Sequence, residues 1–441
     1  MIGWSVCFLF VCCFSTLSAA ERPNLLFVVT DDQRWDTIRA LGNSQISTPT
    51  QDALVRRGTV FSNAYCMGSM SGAVCIPSRT MLMTGKSVWR IPPQKTKPYN
   101  DPTLGKSFRQ AGYDTFFCGK RNNSFFAANE DFETVVYDES RGETNKLRDT
   151  ASQFVADTTI NWLNKHPAAE TPFCIYLGPP VPHDPRVAPP EFMQMYDPAK
   201  ILLPKSFLPQ HSFDNGELQV RDELLAPHPR LPEEMKKQLA EYYATITCFD
   251  HHLGRIIDLI RERGQLDNTL VVYTSDHGLA VGGMHGLMGK QNLYEHNKPP
   301  LILAGPGIPA GKKSDALVYL YDLFPTVCEG AGIAMPQGIE GKSLWPTVQG
   351  KSDGVRETLF TAYKECQRAV RDNRWKLIRY HAAGEYHTQL YDLQSDPEEL
   401  KNLADEPQFA NERQRLEKLL TQSRKDFADP IDFDKDLAAK K

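Results

Sequence analysis

A chain of 441 residues can bury a large core, enough for one large α/β domain with an appendage or for two or three domains. Its 41% apolar and 24% charged residues are those of an ordinary globular protein. The formal net charge is only −4 and Lys and Arg form no sustained run or stripe, so the composition carries no nucleic-acid footprint.

Residues 1–20 carry no charged side chain and end in Ser18-Ala19-Ala20, which fits signal-peptidase cleavage before Glu21. The expectation is an exported protein, periplasmic or secreted. A lipoprotein anchor would have to use Phe10-Val11-Cys12, a poor lipobox, and no segment reaches the length of a spanning helix. Residues 23–30 form a near-continuous apolar run that empties into Asp31-Asp32, the pattern of a buried parallel strand. Helices are expected at 50–57, 104–111 and 150–165, with strands at 113–118 and 173–177. The Pro-rich stretch 179–232 has no periodicity and reads as a loop excursion that shapes a pocket. Over 233–263, Met235, Leu239, Tyr242, Ile246, Phe249, Leu253, Ile256 and Ile260 recur at spacings of three and four, which predicts a long amphipathic helix. Another buried strand, 270–274, empties into Ser275-Asp276-His277-Gly278.

This alternation predicts a doubly wound α/β sheet, which binds ligands beyond the carboxyl ends of its strands. After Trp345 the pattern changes to antiparallel strands at 367–380 and 389–393, a turn at 395–400, a terminal helix and a loose tail at 434–441. The expected division is therefore a leader over 1–20, a catalytic domain over 21–344 and a small C-terminal subdomain over 345–441. Three of ten cysteines, Cys7, Cys12 and Cys13, fall in the leader. Of the other seven, Cys118, Cys174, Cys248 and Cys328 sit singly in apolar segments as small buried hydrophobes, with one disulfide left open. His251-His252 point in different directions on a helix and read as surface residues.

Asp31, Asp32 and Asp276 stand at the ends of two core strands, where their mutual repulsion calls for a cation. Hard oxygen ligands favour Ca²⁺ or Mg²⁺, and a flexible ligand count favours Ca²⁺; the alternative role is helix capping. Cys75-Ile76-Pro77-Ser78-Arg79, followed by Thr84-Gly85-Lys86, reads either as a buried helix start with an early proline or as a reactive centre.

That segment resembles the signature of the type I sulfatases of the alkaline-phosphatase-like superfamily, and the likeness extends from Arg22 to Ala404. It implies a three-layer α/β/α core with a mostly parallel sheet, plus a small C-terminal α+β subdomain with an antiparallel sheet. It implies that a maturation enzyme oxidises Cys75 to Cα-formylglycine, whose hydrate is the nucleophile. Asp31, Asp32, Asp276 and His277 would ligate Ca²⁺ with an oxygen of residue 75; His277 stands where many members carry asparagine. Gly119-Lys120 matches the family's G-K-W-H, Pro182-His183-Asp184-Pro185 its P-H-x-P, and Gly289-Lys290 with Leu293-Tyr294-Glu295 its G-K-x-x-L-Y-E. Arg79 would hold and polarise the sulfate with the metal. Lys120, His183 and Lys290 would bind it and stabilise the charge on the leaving oxygen.

The histidine of G-K-W-H is replaced by Asn122, which cannot act as a base, and Asn122-Asn123-Ser124 is also a glycosylation sequon. His285 is a candidate replacement base or a substrate-binding group, and Arg186 could meet a carboxylate or a second sulfate. The implied substrate is a sulfated carbohydrate. A phosphoester or phosphonate hydrolase of the same superfamily and a non-catalytic glycan-binding descendant are the alternatives.

Overall fold

The computed structural model describes residues 22–121, 125–138, 150–166 and 171–433. The leader, Asn122 with its sequon, and the tail from 434 lie outside these residues. The strands are β1 (Asn24–Thr30), β2 (Gly58–Tyr65), β3 (Gly68–Ser69), β4 (Asp114–Lys120), β5 (Thr134–Asp138), β6 (Phe173–Gly178), β7 (Thr269–Ser275), β8 (Leu301–Ala304), β9 (Lys312–Tyr319), β10 (Leu359–Tyr363), β11 (Gln367–Arg371), β12 (Trp375–Ala382) and β13 (Glu385–Asp392). The helices are α1 (Pro49–Arg57), α2 (Cys75–Thr84), α3 (Leu104–Gln110), α4 (Phe126–Glu130), α5 (Ala151–Lys165), α6 (Pro190–Met193), α7 (Pro232–Glu262), α8 (Leu323–Gly330), α9 (Trp345–Val348) and α10 (Ala410–Asp426).

Eight strands form the main sheet in the order β5-β4-β6-β1-β7-β8-β2-β9. All its pairings are parallel except the two made by β8, against β7 and β2. Every residue of β1 is buried, as a strand covered on both faces requires. Its side chains divide by pleat: Leu25, Phe27 and Val29 join a cluster with Met81, Leu104 and Phe324, whereas Leu26 and Val28 join Val155, Phe249, Leu253 and Ile256. Helices α2, α3 and α8 therefore cover one face and α5 and α7 the other, the three-layer arrangement expected. The expected apolar stripe of α7 is buried along its whole length. The Asp250 carboxylate of the same helix accepts hydrogen bonds from the Thr50 and Gln51 amides at 2.9 and 2.8 Å, capping the start of α1.

The second sheet runs β13-β12-β11-β10-β3. Residues 367–380, read as one strand, are two. Asp372 ends β11 by accepting the Arg374 and Trp375 amides on Oδ1 at 2.8 and 2.7 Å, which closes a turn into β12. The strand expected at 389–393 is the end of a longer one, β13. β3, from the N-terminal part of the chain, pairs with β10 and extends this sheet. The stretch 179–232 is mainly loop, interrupted by α6 and single turns of 3₁₀ helix.

Glu295 links the two sheets. Its carboxylate accepts from Tyr65 of β2 (2.6 Å), and pairs with Lys298 (2.9 Å), Arg371 of β11 (3.2 Å) and Lys376 of β12 (3.0 Å). All seven cysteines among the described residues are free thiols, so the disulfide left open is absent among them. His251 is exposed, as expected of a surface residue, but its neighbour His252 is buried. No helix among the described residues is long and apolar enough to cross a membrane.

Candidate active site

The site lies beyond the carboxyl ends of β1, β4, β6 and β7. The turn after β1 is sharp: Asp32 is in the left-handed region (φ 72°), and its amide donates to Asp276 Oδ1 at 3.0 Å. Asp31 is pinned by its own amide, which donates to Val181 O at 2.9 Å. Lys120 is the last residue of β4, and His183 follows β6 by a short loop. Cys75 opens α2, whose next turn is tied to β7: Ser78 Oγ donates to Asp276 O at 2.6 Å and Arg79 Nε to Asp276 Oδ2 at 2.8 Å. This proximity demands glycine on the neighbouring strands. A Cβ on Gly178 would lie 2.9 Å from Arg79 Nη1, and one on Gly119 would lie 2.5 Å from Gly178 O.

Six chemical side chains converge here. Lys290 Nζ donates to both oxygens of Asp32 at 2.8 and 2.7 Å and lies 2.8 Å from Cys75 Sγ. The Cys75 thiol is 3.2 Å from Asp31 Oδ1 and 3.6 Å from Asp32 Oδ1. Lys120 pairs with Asp31 Oδ2 at 2.5 Å. His183 presents Nε2 at 3.7 Å from Asp32 Oδ2, while its Nδ1 is 2.8 Å from Asp184 O and 3.2 Å from Asp184 Oδ1. Each of these side chains is buried.

Burial of so much charge sets the proton affinities. Burial, with the charges of Asp31 and Asp276, pushes Asp32 up to about 7 despite Lys290. Burial would also raise Asp31, but Lys120, Arg79 and Lys290 more than offset it and hold it well below the usual range. Burial and the Asp276, Asp31 and Asp32 carboxylates push the Cys75 thiol well above its ordinary value. It therefore stays protonated, the opposite of a thiolate nucleophile. Burial and Lys290 push His183 well below its ordinary value, so the ring is neutral.

Ligand atoms of Asp31, Asp32, Cys75 and His183 all lie within 4.8 Å of one another, a grouping that could hold a metal ion. Of the other residues expected at the metal, Asp276 engages Arg79 and the Asp32 amide, and His277 Nδ1 lies 2.8 Å from Gly278 O. Arg79 is fully buried and also donates to Val29 O and Thr30 O, so it anchors Asp276 to the end of β1. Arg186 lies over the Tyr242 ring (5.6 Å) and donates to Gln238 Oε1 at 2.7 Å; its buried Nε and Nη2 have no hydrogen-bond partner among the described residues. His285 stacks on Tyr294 (4.1 Å between ring centroids), and its Nε2 is 3.1 Å from Glu399 O. It lines a separate cavity of about 590 Å³ with Arg34, Tyr243 and His296.

Residues the sequence did not single out complete the site. Asp222 approaches Lys290 Nζ at 4.0 Å and accepts from Gln291 Nε2 at 2.9 Å. Glu223 accepts the Met288 and Gly289 amides at 2.9 and 2.8 Å, fixing the loop that carries Lys290. Both belong to the aperiodic Pro-rich stretch, where no spacing distinguishes them from other loop carboxylates.

A sequence profile of the sulfatase family matches residues 23–333, and one described as N-sulphoglucosamine sulphohydrolase, C-terminal, matches 283–426. The chain is 26% identical to an N-acetylglucosamine-6-O-sulfatase of Bacteroides thetaiotaomicron, over 93% of this chain and 87% of that protein. It is 28% identical to arylsulfatase K of Homo sapiens, over 88% and 80%. Among solved structures, one in complex with its substrate D-glucosamine-2-N,6-O-disulfate superposes with a TM-score of 0.78 at 23% identity, covering 93% of this chain and 99% of that one. A phosphonate monoester hydrolase of Agrobacterium radiobacter superposes at 0.76 with 21% identity, covering 92% and 96%, so the fold alone spans both chemistries. With the profile matching most of the chain, this protein belongs to the sulfatase family, the sulfuric ester hydrolases of the alkaline-phosphatase-like superfamily.

Proposed function

We propose that the protein is an exported sulfatase, periplasmic or secreted, that removes sulfate from a sulfated carbohydrate using Cys75 oxidised to formylglycine. The observation that carries this reading is the position of Cys75: a buried residue at a helix start, packed among two carboxylates and Lys290, whose thiol is held protonated. A thiol so placed is a poor nucleophile. Oxidised to an aldehyde and hydrated, residue 75 supplies one hydroxyl to attack sulfur and a second whose deprotonation expels sulfate and restores the aldehyde.

The donor set fits a divalent cation. Asp31, Asp32, residue 75 and His183 offer ligand atoms close together, and the burial and neighbouring carboxylates that push Asp32 up to about 7 are what a cation offsets. Asp276 and His277, at the end of β7, are the further ligands we assign. With hydroxyl oxygen in place of sulfur the set is mainly hard, which favours Ca²⁺ over Mg²⁺ at this flexible count and disfavours softer ions. Such a cation would orient the nucleophile and polarise the sulfate.

Lys120 and Lys290 bring ammonium groups to the charge that grows on the ester, and Lys290 gives the departing alkoxide its proton, with the neutral His183 ring held beside it. Arg79 holds Asp276 and would, beside a bound cation, help to hold and polarise the sulfate. We assign a second anionic group of the sugar, a sulfate or a carboxylate, to Arg186, a reading supported by its buried Nε and Nη2, which have no hydrogen-bond partner among the described residues. The glucosamine sulfates named for the relatives support a sulfated glycan as substrate.

Parallel assays with an aryl sulfate, an aryl phosphate and a phosphonate monoester test the reaction class. Sulfate release should exceed phosphate release by orders of magnitude; the reverse preference would replace this reading with phosphoester or phosphonate hydrolysis. Binding of sulfated glycan with no release at all would make the chain a binding protein.

A further inference from the structure

Arg221 sits in the Pro-rich excursion, with its side chain 57% exposed. Its guanidinium forks onto both oxygens of Asp184, with Nη1 at 3.1 Å from Oδ1 and Nη2 on Oδ2. The same Nη1 donates to Asp222 Oδ1 at 2.9 Å. Each carboxylate backs a proton-handling group. Asp184 lies against His183 Nδ1, which leaves Nε2 facing the reacting centre; Asp222 lies 4.0 Å from Lys290 Nζ. One partly exposed cation thus ties Asp184 to Asp222, its own neighbour in the chain, and Asp222 in turn contacts Lys290 and Gln291. Without it, two buried carboxylates that now share one guanidinium nitrogen would face each other with like charge, and the loops bearing His183 and Lys290 would move apart.

We infer that Arg221 is a positioning residue that sets His183 and Lys290 at the departing oxygen of the ester, through Asp184 and Asp222. This rests on the reading of Lys290 as the proton donor, with His183 beside it. Lysine cannot reproduce the contact, because a single ammonium lacks the planar fork that spans two carboxylates.

A positioning role predicts a particular signature, because a phenol that leaves easily needs no proton and a poor one does. The test measures kcat and KM of the matured full-length enzyme, Arg221→Gln and Arg221→Lys on a series of aryl sulfates whose phenols become progressively less acidic. For Arg221→Gln, kcat on the least acidic phenols should fall ~10- to 100-fold, and on 4-nitrophenyl sulfate less than ~3-fold, with KM little changed. Arg221→Lys should lie between wild type and Arg221→Gln, and this variant reads the same slope should Arg221→Gln fold poorly. Losses of equal size across the series, a loss confined to KM, or no loss would overturn the inference. Wild-type enzyme inactive on every aryl sulfate would instead sink the reading on which it rests.

Discussion

Cys75 shows how strongly surroundings decide what a side chain can do. Reduced, it is a buried, protonated thiol beside the Asp31 and Asp32 carboxylates and has little reactivity to offer. Cys75→Ala removes one small side chain from a site held by other bonds, so the thermal midpoint should be nearly unchanged while sulfate release falls by at least ~1000-fold. Unfolding, or retention of activity, would show that the side chain serves packing. Asp31 and Asp32 carry the cation on this account. Wild-type protein should contain stoichiometric calcium by elemental analysis, and Asp31→Ala should contain none; stoichiometric zinc would contradict the assignment of a hard ion.

The resemblance of Gly119-Lys120 to the G-K-W-H motif implies that Asn122 replaces a histidine that would help expel sulfate. Pre-steady-state assay with an aryl sulfate should give a burst of phenol equal to the enzyme present, and Asn122→His should shrink the burst while raising the steady rate. No burst, with a large loss in His285→Ala, would move the base to His285, although that ring now stacks on Tyr294 in a separate cavity.

Among the elements, the short 3₁₀ turn containing Glu295 has the most concentrated electrostatics. Burial alone would raise this carboxyl; Lys298, Lys376 and Arg371 more than offset it and hold it well below the usual range. Glu295→Gln leaves three cations without their shared partner and should cost about 3–5 kcal/mol at pH 7. The folded pKa lies below the ~4.3 of an unfolded glutamate, so the stabilisation is complete above that value and is lost as pH falls through the folded pKa. Denaturant melts should therefore show a difference between wild type and variant that narrows on acidification below about pH 4. A difference that widens would mean Glu295 is not ionised in the fold. Helix α7 is held instead by apolar burial. Leu253, with no exposed surface, should cost about 2–5 kcal/mol on replacement by alanine, read from the same melts.

For the whole molecule, what could be read from sequence follows the strength of local signals. β1, β7 and α7 are long, apolar and periodic, and they lie where their patterns place them. β8 has only four residues and β9 opens with Lys312-Lys313, so neither carries a strand-length apolar pattern, and the antiparallel β8 inside the sheet was not anticipated. The break within 367–380 depends on the Asp372 side chain closing a turn, a single residue's hydrogen bonding that periodicity does not register. At the site, residues at strand ends and in short motifs were legible: Asp31, Asp32, Cys75, Lys120, His183 and Lys290 converge although up to 259 positions separate them in the chain. Arg221, Asp222 and Glu223 were not, because their roles exist only once the Pro-rich loop folds back on residues 288–291.

On the proposed function, residue 75 works as an oxidised cysteine. Mass spectrometry of the peptide containing it, on preparations that differ in maturation, should be set against their specific activity for sulfate release. Activity should be proportional to the formylglycine fraction and vanish with it. Full activity in a preparation holding only the unmodified thiol would contradict it.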